Sequence, residues 1–393
     1  MLIIGLGMLL PIPVMGKVFL AAKEDVLPTL PTGPPALLAA QAIPNWLTPF
    51  ENWVQNGMAS ESMPGYALAV VEGKKILLAK GYGLRDVAAK KPVTTDTLFH
   101  IASVNKPMTG MMIATMVDDG LFDFDTPVIN YAPEFSLSDP EATEQITVRH
   151  LLSMRAGIPV EAEDNLPHEP SPQDVFDEVS QVPILGMPGE QFEYSNVSAA
   201  IAGWVGVLAA GGDYDDLFKE YGIEFGERVL TPIGMTTSTI YASEAQSNPN
   251  MSKSYKKRRK RIVLHKSYDF DGDGLAPSGI LKSNVVEMSL FVSAELGRGI
   301  APNGTRVVSE QNLTETWITY LDHYGMGWDN IEHRDVTVIW HTGAYDEFTS
   351  VIGFLPDLNY GFVILANCDL CDYKGANVTG NAHTAIIDHI LDY

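Results

Sequence analysis

Trp46, Leu47, Phe50, Trp53 and Val54 recur at the spacing of one helical face, which predicts a helix closed by Gly57. Two apolar runs follow, 66–71 and 75–81, divided by Glu72-Gly73-Lys74 in the manner of a hairpin. Strand-like runs return only toward the other end of the chain, at 324–328, 336–340, 349–354 and 360–366, with Pro356-Asp357 turning the last pair. Ile386, Ile387, Ile390 and Leu391 then mark a terminal amphipathic helix. Between the two β-rich ends lies a mainly helical, loop-rich stretch. This pattern predicts an α/β plus α protein: one antiparallel sheet built from both ends and flanked by helices, with an inserted mainly helical domain. The α/β part covers about 45–100 and 275–393 and the helical part about 103–274.

Ahead of this body, residues 2–16 are uncharged and mostly apolar, too short for a membrane span of about 20 residues but long enough for a signal core. Small residues close the segment at Ala21-Ala22, whereas no basic residue precedes it and Pro11 and Pro13 interrupt it. We read 1–22 as a signal peptide or anchor and 23–44 as a proline-rich linker. The expected location is secreted or membrane-anchored outside the cytoplasm, with N-terminal membrane association, and cytoplasmic if the run is not a signal.

Composition narrows the classes further. With 46% hydrophobic and 19% charged residues in 393, the chain is globular rather than disordered. A formal net charge of -23 repels phosphate backbones and argues against a nucleic-acid partner. The basic run at 256–261 opposes that average and reads as a solvated loop, a localisation signal or anion patch being the other reading. The two cysteines, Cys368 and Cys371, suit a small local disulfide or two inert thiols. Asp269-Phe270-Asp271-Gly272-Asp273-Gly274 starts like a calcium loop, but Ile280 stands where a bidentate carboxylate is required, so it reads as an acidic turn. No metal and no cofactor is expected, and the motifs leave oligomeric state open.

Ser103-Val104-Asn105-Lys106 puts a hydroxyl and an amine on one helical face. A desolvated lysine can take the proton that a serine must lose to become a nucleophile. Ser254-Tyr255-Lys256-Lys257 has the same spacing inside the basic run. Only Ser103 opens an apolar helix, carrying Met108, Met111, Met112, Met116 and Val117 and capped by Gly120. Tyr194-Ser195-Asn196 offers a phenol for proton transfer and an amide for a substrate carbonyl. His341-Thr342-Gly343 ends a strand-like run where a glycine lets a substrate backbone approach and the next amide can donate to an oxyanion.

In this order the three motifs resemble those of the serine β-lactamase and penicillin-binding-protein superfamily. Lys80-Gly81-Tyr82-Gly83, 121–127, 230–235 and Leu275-Ala276-Pro277-Ser278-Gly279 are similar to segments of its class C β-lactamase and esterase branch. The resemblance covers about 45–393. It implies catalytic roles for Ser103 as nucleophile, Lys106 as base and Tyr194 as partner in proton transfer, with Asn196, His341, Thr342 and Gly343 binding substrate. The implied oxyanion donors are the backbone N–H groups of Ser103 and Ala344. His341 stands where efficient β-lactamases carry lysine, and with an ordinary pKa of about 6.5 it is mostly neutral at pH 7. The implied function is an acyl-enzyme hydrolase of esters, peptides or amides. The alternatives are a β-lactamase proper and a catalytically weak member used for binding or assembly.

Overall fold

Residues 43–259, 261–265, 273–369 and 377–393 are described by a computed structural model. The expected signal or anchor and linker, the acidic turn at 269–272 and Cys371 lie outside the described residues. Cys368 is fully buried. No helix among the described residues is long and apolar enough to cross a membrane.

The strands in chain order are β1 (Gly65–Glu72), β2 (Lys75–Asp86), β3 (Lys91–Pro92), β4 (Phe99–His100), β5 (Tyr255–Arg258), β6 (Arg261–Leu264), β7 (Lys282–Ser283), β8 (Asp329–His333), β9 (Val336–Tyr345), β10 (Phe348–Leu355) and β11 (Tyr360–Ala366). Seven of them form one antiparallel sheet in the order β3-β2-β1-β11-β10-β9-β8. The two ends of the chain meet at its centre, where β1 pairs β11 from Tyr66↔Ala366 to Glu72↔Tyr360. Central strands of this kind are apolar on both faces because both are covered. Leu68, Val70, Val351 and Ile364 face α1 (Leu47–Ser60) and the C-terminal helix, whereas Ala69, Ile352, Val363 and Leu365 face the helices of the other layer. On that second side lie α2 (Asn105–Asp118), α3 (Asn196–Ala209) and α4 (Val285–Leu296); α5 (Val378–Asp392) closes the first.

Three local expectations differ from what is observed. The helix α1 runs through Gly57, which is buried within it. Residues 324–328 form a tight loop rather than a strand: Tyr324 makes one bridge to Asp329, and Gly327 adopts φ +91. Its apolar residues are buried because the loop packs on α2, so closely that a Cβ on Gly327 would lie 2.9 Å from the Lys106 carbonyl. The basic run is not an irregular loop but the hairpin β5-β6, with Arg258 opposite Arg261. Tyr255 and Ile262 anchor it on a small apolar cluster with Cys368.

Buried among the helices, Glu295 of α4 accepts a hydrogen bond from Trp317 Nε1 at 2.9 Å, and burial pushes its carboxyl up to about 8. An unfolded glutamate titrates near 4.3. The folded state therefore holds the proton more tightly, and this contribution to stability is complete below about 4.3 and lost as pH rises through about 8. Glu295→Gln should show a melting temperature that gains on wild type steadily between pH 5 and 9. A constant difference across that range would mean that Glu295 is not the titrating group.

Candidate active site

Ser103 sits in one 3-10 turn, Ala102–Val104, that feeds directly into α2. The turn is held on both sides. Ile101 donates its amide to Leu281 O at 3.0 Å and accepts Ser350 Oγ at 2.6 Å. Ala102, the residue before the nucleophile candidate, takes the left-handed conformation at φ 50, which costs a non-glycine residue about 1–3 kcal/mol. Its amide donates to His100 Nδ1 at 3.0 Å, an acceptor kept neutral because burial and nearby Lys282 push His100 well below the usual histidine range.

Lys106 lies in the first turn of α2, fully buried, with Pro107 beside it where no intrahelical amide partner is needed. Its Nζ is 2.9 Å from Ser103 Oγ, 2.6 Å from Asn196 Oδ1 and 2.9 Å from the Ser278 carbonyl. Burial lowers its pKa to about 7, against the opposing charge of Glu163. The choice of partners matters. Asn196 Oδ1 and Ser278 O can only accept, so they use two N–H groups of a neutral amine and leave its lone pair for the Ser103 hydroxyl. The amide of Asn196 is oriented in turn by Glu163, whose Oε2 accepts from Asn196 Nδ2 at 2.8 Å. A carboxylate cannot donate, so Nδ2 must face it and Oδ1 must face Lys106.

Tyr194 lies just before α3, with Lys106 Nζ 4.9 Å from its ring centre, and the nearby Ser103 hydroxyl opposes part of the rise in its pKa. Burial holds its phenol well above the usual tyrosine range, so it is protonated at neutral pH. His341 lies behind it, 3% exposed. Its Nδ1 is 2.6 Å from Thr342 O, an acceptor, which places the ring proton there and leaves Nε2 to accept from Tyr324 OH at 2.9 Å. Burial and Lys106 push its pKa down to about 3. The imidazole is therefore neutral, and both nitrogens serve protein partners. Tyr324 packs edge-on against Tyr194, with ring centres 6.1 Å apart, so His341 reaches the site through two tyrosines.

Alternation along β9 puts Gly343 on the pleat of His341 and Thr342 on that of Trp340, which stacks on His383 of α5. Gly343 abuts the serine turn: a Cβ there would lie 2.3 Å from Ile101 O, 2.6 Å from Ser350 Oγ and 3.0 Å from Ser103 N. Gly343→Ala must therefore shift the turn that carries Ser103. We expect kcat to fall by about 10²- to 10³-fold, the scale of a lost oxyanion donor, with about 1–3 kcal/mol of destabilisation from overpacking. Wild-type kcat in a folded Gly343→Ala protein would contradict the placement.

Ser103, Glu163, Asn196, Ser278, Ala344 and Tyr345 line a cleft of about 90 Å³. Four expected residues, Ser103, Lys106, Tyr194 and Asn196, are thus brought together, and Ala344 stands on the wall. Ser254, by contrast, is buried at the foot of the β5-β6 hairpin, where extended geometry sends residues three apart to opposite faces. Glu163, the Ser278 carbonyl and Tyr324 had no signal of their own as site residues. Glu163 follows a short 3-10 turn with no motif, and Ser278 contributes a backbone atom. Among the described residues no group of three or more His, Cys, Asp and Glu is placed to hold a metal.

Residues 50–376 match the model of the beta-lactamase family. The chain belongs to the beta-lactamase family. It is 26% identical over 345 residues to Protein flp of Staphylococcus aureus strain MRSA252, an alignment that takes in 86% of this chain and 65% of that one. It is likewise 26% identical over 351 residues to the unguisins hydrolase ungD' of Aspergillus campestris, covering 84% of this chain and 62% of the relative. The chain thus spans just under two thirds of the length of these relatives. An octameric penicillin-binding protein homologue from Pyrococcus abyssi has the same fold, with a TM-score of 0.75 at 22% identity over 88% of this chain and 77% of its own. Beta-lactamase family membership supports a serine-hydrolase kind of activity.

Proposed function

We propose that this chain hydrolyses an ester, peptide or amide bond through an acyl-enzyme on Ser103. The observation that carries the reading is the environment of Lys106: a buried amine with a pKa near 7, two obligate acceptors and the Ser103 hydroxyl as its third partner. In the neutral form its lone pair takes the hydroxyl proton as Ser103 Oγ adds to the substrate carbonyl carbon. The resulting oxyanion lies against the backbone N–H groups of Ser103 and Ala344. Collapse breaks the bond to the leaving group, which receives the proton from Lys106 by way of the Tyr194 hydroxyl. Water then adds to the acyl-enzyme, its proton passing to Lys106 and then to Ser103 Oγ as the acid is released.

β-Lactam hydrolysis is the weaker activity in this account. A cephalosporin carboxylate needs a fixed cation, and neutral His341, buried with both nitrogens engaged, supplies none. An activated ester needs only the nucleophile, its base and the oxyanion donors. The expected result is Ser103-dependent turnover of p-nitrophenyl butyrate, with kcat/KM for a chromogenic cephalosporin lower by about 10²-fold or more, the cost of an unpaired buried charge interaction. Faster turnover of the cephalosporin than of the ester would promote the β-lactamase alternative.

A further inference from the structure

The cleft carries an unbalanced charge. The described residues that line it include His100, Ser103, Glu163, Asn196, Ser278 and Tyr345, and burial keeps His100 neutral. Among these described residues Glu163 alone bears a formal charge. Its carboxylate is only half-buried, accepts one hydrogen bond through Oε2 from Asn196, and forms no ion pair among the described residues. Lys106 compensates it poorly, since burial disfavours the charged form of that amine and it is fully committed to Ser103, Asn196 and Ser278. No arginine or lysine is among the described residues that line the cleft, and His341, on β9 near the nucleophile, has both nitrogens occupied.

Ala344 and Tyr345 also wall a neighbouring depression lined by Asp346, Glu347 and Asp369 with His265. In that depression Lys256 Nζ lies 3.8 Å from Glu347 and His265 Nε2 lies 2.6 Å from Asp346. The whole chain, at -23, adds a long-range field that draws cations and repels anions.

We infer that Glu163 is a specificity-determining residue that selects substrates with a cationic ammonium group on the acyl portion and rejects those with a carboxylate there. The inference rests on the hydrolase reading above. A second carboxylate brought into this cleft is repelled by Glu163 and finds no cation, whereas an ammonium gains an ion pair in a partly desolvated setting. Asn196 places Glu163 one side chain away from the Ser103-Lys106 pair. A cationic group a few bonds from the scissile carbonyl is therefore within reach of the free Oε1.

The test compares p-nitrophenyl esters of 6-aminohexanoate, hexanoate and the adipate monoanion at pH 8, where the amine is still charged and Lys106 is neutral. For wild type, kcat/KM should fall in that order, with the cationic ester favoured over the anionic one by about 100-fold, two charge interactions at intermediate dielectric. Glu163→Gln keeps an oxygen acceptor for Asn196 and removes the charge, so the ratio should collapse to below about 5-fold. Raising sodium chloride from low to high concentration should shrink the wild-type ratio several-fold, a readout that holds even if the variant is inactive or misfolded. A wild-type ratio near one, a ratio insensitive to salt, or one that survives Glu163→Gln overturns the assignment of Glu163 while leaving the hydrolase reading intact. Turnover of none of the three esters, or turnover that persists in Ser103→Ala, overturns the hydrolase reading and this inference with it.

Discussion

Lys106→Met is expected to lower kcat/KM for p-nitrophenyl butyrate by about 10²- to 10⁴-fold, the range that a positioned general base contributes. Methionine nearly fills the space of the lysine stem, so the effect should be on chemistry rather than folding. Lys106→Arg should be as inactive: it keeps a cation and donors for Asn196 and Ser278 but cannot surrender a proton at working pH. The pH profile adds an independent reading. The base is the neutral amine, and its pKa is lowered to about 7, so kcat/KM should rise with pH through a midpoint near 7 and level off above it. The groups facing Nζ fit this sign. Ser103, Asn196, Ser278 O and the phenol of Tyr194 are uncharged, His341 is neutral, and Glu163 opposes the downward shift. A Lys106→Met or Lys106→Arg protein that retains more than about a tenth of wild-type activity would remove lysine from the role of base.

The sheet was legible in the sequence for a physical reason. Strands β1, β10 and β11 are covered on both faces, so they read as unbroken apolar runs, and the turns that follow β1 and β10 carry Gly73 and Pro356-Asp357. Residues 324–328 misled because buried aromatic residues look alike in a strand and in a loop pressed against a helix; only the positive φ of Gly327 distinguishes them. The hairpin of the basic run was hidden by its charges, since its apolar contact with the body comes from Tyr255 and Ile262. For the site, Ser103, Lys106, Tyr194 and Asn196 were readable because their chemistry lies in side chains at fixed short spacing. The Ser278 carbonyl was not, being a backbone atom 172 residues from Lys106. Glu163 has no motif, and only the fold brings it to the site, beside the Asn196 amide that it orients. His341 was expected to be neutral from its ordinary pKa, and it is neutral for a different reason: burial beneath Tyr194 and Tyr324, with both nitrogens bonded.

Ser103→Ala has the largest expected effect, a loss of about 10⁴- to 10⁶-fold in kcat, because it removes the atom that becomes acylated while the rest of the cleft stays in place. The hydroxyl is only partly buried, and its partner Lys106 keeps Asn196 and Ser278 as acceptors without it, so the variant should melt within about 1 kcal/mol of wild type. The most direct test of the central claim is covalent labelling with a fluorescent fluorophosphonate, followed by mass mapping of the modified peptide. Wild type should be labelled once, at Ser103, with a rate that rises through pH 7 as Lys106 loses its proton, and Ser103→Ala should not be labelled. Label on another residue, or label that persists in Ser103→Ala, would contradict the assignment of Ser103 as the nucleophile of this chain.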